Sequence, residues 1–489
     1  MIKLFKIFKK PYFWLIMIII LAFLVRLYKI DTPIADWHSW RQADTAAVSR
    51  SFTHDFKPFY PKGVDLSGVA EKPIPNLGGY RFVEFPIYNI FVYPFYLIFG
   101  SIDLYSRLVS VLFSLGSIIF LYILVKNYFG QAVALTSSLI YALLPFNIFF
   151  SRTTLPEPTF VFFALGMVYF VRELITGRKK LLWSALIFTS VAFLIKPWAI
   201  FYFLPLWYVY YKKNGTWFLG KKDLLFILGV LIPFVLWRLW ILQFPEGIPA
   251  SNWLLNGDGI RFRPAFWWWI ISERLGHEIL GVTGLFLFLI GFLLRPKNGN
   301  YFLHLWVLSM FLYLIVFATG NVRHDYYQYI FIPVACIFLA KGFWGLISGV
   351  SDFVPRFWTI ILTLLFLPLT FYFTWTQVKE FYKINNPPII EAGKMADQIL
   401  PKGGVVVAPY NGDTAFLYQI NRQGFPVVAY PLPQLVSDYG VTHYVSVNRD
   451  DQTNWVLRHF EILVDDPKFI IADLTKPKGN LYDPKDKEP

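Results

Sequence analysis

The chain has 489 residues, of which 56% are hydrophobic, 20% aromatic and only 16% charged, and its apolar runs are longer than a soluble core needs, so it reads as a polytopic α-helical membrane protein. The formal net charge of +14 does not mark a nucleic-acid binder, because the lysines and arginines lie between apolar runs rather than on one face or in one domain. A single cysteine, Cys336, excludes an intrachain disulfide and makes a cysteine-based metal site implausible.

At the N-terminus, Lys3, Lys6, Lys9 and Lys10 precede an apolar run from Pro11 that continues to Ile30 without a small-x-small cleavage site. This predicts an uncleaved anchor with a cytoplasmic N-terminus. Runs of roughly 20 apolar residues predict further spans near 105–126, 132–150, 157–175, 181–196, 198–211, 224–243, 278–295, 301–318, 327–348 and 355–376, about eleven with the first. Residues 86–99 are apolar but short and begin with Pro86, which predicts a helix lying in the interface. With that segment not crossing, nearly all the short basic loops fall on one side: Lys126, Arg172 to Lys180, Lys212 to Lys222, Arg295 with Lys297, and Lys341 with Arg356. The opposite, outer face then receives the first loop (31–104), residues 151–157, 196–198, 243–277 and 323–325, and everything after Trp375.

From about Lys383 the composition becomes that of a small soluble α/β domain, with a helix over 391–400 and strands near 405–408, 425–430, 444–447 and 469–472. The expected organisation is a transmembrane domain over 1–380, an extracytoplasmic α/β domain over 381–475 and a charged, disordered tail over 476–489.

The first outer loop carries two dense polar motifs, Asp36 to Thr45 and Arg81 to Pro86. Ser39 followed by Gln42 is a capping-box pattern, which predicts a helix from Trp40 to about Phe52 along the membrane surface. It places Arg41 and Asp44 one turn apart, either as an ion pair or with Asp44 as a general base near the helix N-terminus. Glu157, beside Pro158, is either ordinary first-turn chemistry or a site acid. Acids at the outer ends of separate elements (Asp36, Asp44, Glu84, Glu157) and cations in other outer loops (Lys196, Arg261, Arg263, Arg323, His324) suit transfer from a phosphate leaving group. Such a reaction needs a base for the acceptor and positive charge for the departing phosphate.

These residues resemble the GT-C membrane glycosyltransferases related to protein O-mannosyltransferases and to the bacterial lipid A aminoarabinose transferase. The similarity lies in the order of Asp36 to Thr45, Val83-Glu84-Phe85-Pro86, Arg152 to Pro158, Phe193 to Lys196 and Arg323 to Tyr326. Arg41-Gln42 stands where many members carry Asp-Glu, so the catalytic acid is displaced to Asp44 or to Asp36, and Phe85 replaces a lysine whose duty falls to a cation such as Arg81. The resemblance implies a polyprenyl-phosphate-linked sugar donor and a glycolipid, glycan or protein acceptor. It also implies inverting displacement at the outer face of the inner or plasma membrane. Asp44 or Asp36 is the expected base, with Glu157 and His38 orienting it. His38, Arg41, Arg81, Lys196, Arg261, Arg263, Arg323 and His324 are the candidate phosphate or substrate ligands. Glu84 with His324 is the candidate site for a divalent cation. The competing readings are a transporter or flippase of lipid-linked sugars, for which charges near span centres and repeat symmetry would be expected, and another transferase using a lipid-linked oligosaccharide.

Overall fold

The apolar runs become helices, with breaks before Pro145 and at Gly281, while Pro94, Pro233 and Pro368 sit inside unbroken helices. The computed structural model describes residues 10–70, 74–349, 355–479 and 488. Lys3, Lys6 and Lys9, and most of the expected tail, lie outside the described residues. The chain divides into two units, one made of Met1–Ile30, Arg107–Arg238 and Ser251–Tyr382, the other of Asp31–Ser106, Leu239–Ala250 and Lys383–Pro489.

Five helices are long and apolar enough to cross a membrane: Asp103–Phe129, Glu157–Ile175, Lys221–Ile241, Asp325–Ser348 and Arg356–Tyr382. A sixth arises if Pro264–Ile279 and Gly281–Leu293, bent by 109°, make one span. Pro11–Arg26, Gln131–Leu143 and Phe302–Val316 are shorter apolar helices. The expected span over 132–150 is interrupted at Pro145, which has no N–H to give the Tyr141 carbonyl. Without water, a freed carbonyl needs an internal donor. Arg26, fully buried, supplies it: Nη1 donates to Ala142 O (2.9 Å) and Ala22 O (2.9 Å), Nη2 to Tyr141 O (3.4 Å), and Nε to Ser151 Oγ (2.7 Å). The Asn147 amide also donates to Tyr141 O.

Elsewhere in this unit the Gly281–Leu293 helix meets Ile332–Ser348 backbone to backbone. A Cβ on Gly291 would stand 2.0 Å from Phe338 O, and one on Gly342 1.9 Å from Leu287 O. Small residues permit the close approach that packing between apolar helices requires. By contrast, Leu225, Leu228, Leu236 and Leu239 of Lys221–Ile241 are exposed, as a lipid-facing helix demands. The chain is an integral membrane protein.

In the other unit, helix α1 (Ser39–His54) carries Ala43, Ala46 and Ala47 into a core with Ala392, Phe416, Leu417 and Ile420. It is therefore packed into a protein core along the face that carries these alanines. Helix α2 (Ile87–Phe99) follows, and at 13 residues it spans about 20 Å, short of the ~30 Å hydrocarbon core. The C-terminal strands β1 (Val405–Val407), β2 (Gly424–Phe425), β3 (Val441–Ser446), β4 (Phe460–Asp466) and β5 (Phe469–Pro477) form one sheet in the order β2-β1-β3-β5-β4. β1 is parallel to β2 and β3, and β5 is antiparallel to β3 and β4. The first loop covers the β2 edge: Leu66 N–H donates to Gly424 O (2.8 Å) and Gly424 N–H to Val64 O (2.9 Å). An uncovered edge would invite pairing with another chain. Strand β4, which ends in Asp465 and Asp466, was not foreseen, and Asp450 caps the helix Asp451–His459 through Thr453 N–H (2.8 Å).

The glycine contact yields a measurable expectation. Gly342→Val forces two backbones apart and should destabilise the protein by at least ~1–3 kcal/mol, read as a lower melting temperature in detergent. Gly229→Ala, whose Cβ would meet Leu186 Cδ2 at an ordinary 3.6 Å, should leave it unchanged. Equal melting of both variants would remove the close helix contact from the account.

Candidate active-site groups

Helix α1 begins at Ser39 with His38 as its N-cap, in the left-handed region (φ 55°), and no side chain caps it. The capping box therefore does not form. Ser39 Oγ donates instead to Asp413 Oδ2 (3.0 Å), and Gln42 Nε2 reaches back to Asp36 Oδ1 (2.7 Å) and Trp37 O (2.9 Å). The turn before α1 is thus built around the buried Asp36 carboxylate.

One turn into the helix, two ion pairs run crosswise to the arm at 81–84. Arg41 Nη2 donates to both Glu84 oxygens (2.7 and 2.9 Å), and Arg81 Nη2 pairs with Asp44 Oδ2. The Arg41–Asp44 pair considered from spacing is replaced by these two. The second Asp44 oxygen, Oδ1, accepts from Thr414 Oγ1 (2.8 Å). Asp44 and Arg81, with Arg41, Glu84, Thr45 and Pro86, line a narrow cleft of about 10 Å³, and Asp36 is not among its lining residues. Asp413 stands nearby, and burial pushes its carboxyl above the usual range, opposed by the Ala415 N–H and Ser39 hydrogen bonds, with the Asp44 charge adding to the rise. Asp413 and Thr414 were missed from sequence. Their signal was Asn-Gly-Asp-Thr before a helical run, with Asp413 Oδ1 accepting Ala415 N–H (2.7 Å) as an Asx turn does.

The membrane-spanning unit holds the remaining candidates. Glu157, fully buried at the start of its helix, pairs through Oε1 with Lys196 Nζ (2.8 Å). The ammonium lies 4.4 Å from the Trp198 ring centroid and 5.8 Å from that of Tyr327, so the pair sits in an aromatic enclosure. Oε2 of Glu157 accepts no hydrogen bond among the described residues. His324 packs against Trp253, Tyr326 and Tyr327, and Arg323 lies over Trp253, 5.2 Å from its centroid. Arg261 is committed to backbone: Nε donates to Ile315 O (2.7 Å) and Nη2 to Val316 O (2.7 Å) and Leu255 O (3.0 Å), which closes the C-terminal end of Phe302–Val316. Exposed Arg263 donates to Asp258 O (2.9 Å).

A divalent cation does not fit Glu84 as arranged, because Arg41 occupies both of its oxygens. Among the described residues no group of three or more His, Cys, Asp or Glu side chains is placed to hold a metal.

Comparison with known proteins bears on what these groups do. The family profile described as dolichyl-phosphate-mannose-protein mannosyltransferase matches residues 85–240. YycA of Bacillus subtilis (strain 168), provisionally named a mannosyltransferase, is 30% identical over 192 residues, which are 38% of this chain and 26% of YycA. YkcB of the same strain, with the same provisional name, is 28% identical over 42% of this chain and 28% of YkcB, so the match spans about a quarter of each curated relative. Among solved structures, ArnT from Cupriavidus metallidurans superposes with a TM-score of 0.67 at 14% identity, covering 94% of this chain and 98% of ArnT, and ArnT bound to undecaprenyl phosphate gives 0.65. The Archaeoglobus fulgidus oligosaccharyltransferase gives 0.55 at 12% identity, over 90% of this chain and 70% of that one. The chain has the fold of these proteins, the GT-C glycosyltransferase fold that its sequence motifs resemble.

Proposed function

We propose that this protein transfers a sugar from a polyprenyl-phosphate carrier to an acceptor hydroxyl or amine by direct, inverting displacement. The observation that carries the reading is Asp44, a buried carboxylate with both oxygens oriented, by Arg81 and Thr414, in the wall of a polar cleft. That the cleft is lined by Asp44 and not by Asp36 favours Asp44 as the base. In the reaction, Asp44 takes the acceptor proton while the acceptor atom bonds to the anomeric carbon. The bond from that carbon to the phosphate oxygen breaks, and the polyprenyl phosphate leaves with the electron pair. Within the membrane-spanning unit, Lys196 with Glu157 is a separate candidate group, its ammonium held by Oε1 (2.8 Å). No step passes through a metal ion.

Three features support a lipid-borne donor: the apolar helices, the family profile over 85–240, and the solved ArnT complex with undecaprenyl phosphate. In this reading the chain crosses the inner or plasma membrane about eleven times, the helices Leu182–Ile195 and Phe203–Asn214 adding two passes to the nine named above. The N-terminus is cytoplasmic, and the first loop and C-terminal sheet lie outside.

Membranes supplied with defined polyprenyl-phosphate sugars test the assignment through donor consumption and product formation. Asp44→Asn should lower kcat by about 10²–10⁴, and Asp36→Asn by much less at equal expression. Full activity in Asp44→Asn would sink the base. Donor crossing the bilayer without product would point to a flippase instead.

The Arg41–Glu84 pair holds the arm rather than reacting. Glu84→Ala strands a buried guanidinium and should cost about 3–5 kcal/mol, whereas Arg41→Met with Glu84→Met should cost far less. Thermal unfolding of the single and double variants checks this, and additive losses would mean that the two groups do not depend on each other.

A further inference from the structure

A second cavity, larger than the Asp44 cleft, lies wholly within the unit that carries the sheet. It encloses about 350 Å³ between the C-terminal end of α1, residues 57–64, and the two turns at 402–405 and 421–423. That volume is in the range of small-molecule sites. Its charged lining is Arg50, Lys57, Lys62, Lys402 and Arg422 against the one acid Asp55, with His54 beside them.

The cations differ in how far the protein already uses them. Arg422 is structural: Nη1 pairs with Asp397 (2.6 Å), Nη2 donates to Leu400 O (2.7 Å) and Nε to Pro401 O (2.8 Å), which fixes the 401–404 turn on the cavity rim. Arg50 is half used. Its guanidinium stacks on Tyr418 (3.8 Å to the centroid) and Nη1 donates to Tyr418 O (3.0 Å) and Asn421 Oδ1 (2.8 Å), while Nε and Nη2 make no hydrogen bond among the described residues. Lys57 has Asp55 (2.6 Å). Lys62 Nζ has only the Tyr80 ring, 5.9 Å away, and Lys402 Nζ has no hydrogen-bond or ion-pair partner among the described residues. A guanidinium held in place with donors to spare, next to two unpaired ammoniums, matches an anion with several oxygens. The remaining lining mixes the polar Ser51, Asn421 and Gln423 with the apolar Ala47, Val64 and Val405.

We infer that this cavity binds a phosphate-bearing sugar or polyol, with Arg50, Lys62 and Lys402 on the phosphate. The assignment rests on this cavity alone, and its readout is binding without turnover. Full-length protein in phosphatidylcholine nanodiscs, titrated calorimetrically with glucose 1-phosphate and with inorganic phosphate, should bind both, more weakly as salt rises. Lys62→Glu with Lys402→Glu, both exposed in the wild type, should weaken binding about tenfold or more. Lys394→Glu, an exposed lysine outside the cavity, should not. Asp44→Asn, in the separate cleft, should bind as the wild type does, so loss of transferase activity and loss of this site are told apart. No binding of either probe overturns the inference, as does equal weakening by Lys394→Glu. Repeating the titration in phosphatidylglycerol nanodiscs separates the sources of the phosphate. Binding of glucose 1-phosphate lost there identifies a lipid headgroup as the occupant, and binding retained there identifies a soluble sugar phosphate.

Discussion

Two arginine–carboxylate pairs hold helix α1 against the arm at 81–84, and together they fix the geometry around Asp44. Each ion costs several kcal/mol to remove from water, and the cost is recovered only when its partner is in place. Arg41, Asp44 and Glu84 are almost fully buried, so α1 and the arm keep their low-energy state in one mutual register. The turn at 411–416 belongs to the same arrangement through Thr414 on Asp44 and Asp413 on Ser39. A sequence separation of some 370 residues is thereby closed by hydrogen bonds at the head of one helix. The alanines of α1 make the approach possible, because a larger side chain at 43, 46 or 47 would hold Phe416 and Leu417 away.

In the membrane-spanning unit the governing constraint is that every backbone polar group needs an internal partner. Two helix interruptions in this unit recruit a side chain. Pro145 frees carbonyls that Arg26 and Asn147 take up, and the end of Phe302–Val316 is closed by Arg261. An arginine in such a unit therefore has a structural use that does not depend on any ligand. That is why a census of outer-loop cations overestimates the number available to bind phosphate. Lys196 is of another kind, since it is enclosed by aromatic rings and held by one carboxylate, not by carbonyls.

Hydropathy and punctuation made the helices legible, along with the presence of a C-terminal α/β domain and the candidate groups Asp44, Glu84, Glu157 and Lys196. They did not show where helices break. Pro145 interrupts a run whose composition alone reads as continuous, and local composition carries no information about the donor that repairs a break, such as Arg26 more than a hundred residues away. Strand β4 was hidden because Phe460–Asp466 is half-exposed and ends in two acids, which reads as a turn. The capping box failed for a related reason. Ser39 and Gln42 have the right spacing, but the helix begins one residue early with His38 as its N-cap, and both side chains donate to the Asp413 and Asp36 carboxylates instead of accepting from backbone N–H groups. Short-range patterns predict a partner only when no better one arrives from elsewhere in the chain.

The same bookkeeping of oxygens separates the acids chemically. Glu84 gives both oxygens to one guanidinium. Asp44 also has both oxygens engaged, but by unlike partners. Releasing Oδ2 would leave the Arg81 guanidinium without its carboxylate in a mostly buried setting, a loss of about 3–5 kcal/mol. Releasing Oδ1 requires only that the Thr414 hydroxyl turn away, toward the Trp40 carbonyl 3.1 Å from it, at about 1 kcal/mol or less. On the proposed reading, Oδ1 is then the oxygen that receives the acceptor proton, and Arg81 stays on Oδ2 throughout. The threonine hydroxyl occupies, in the resting protein, the position that an acceptor hydroxyl would take.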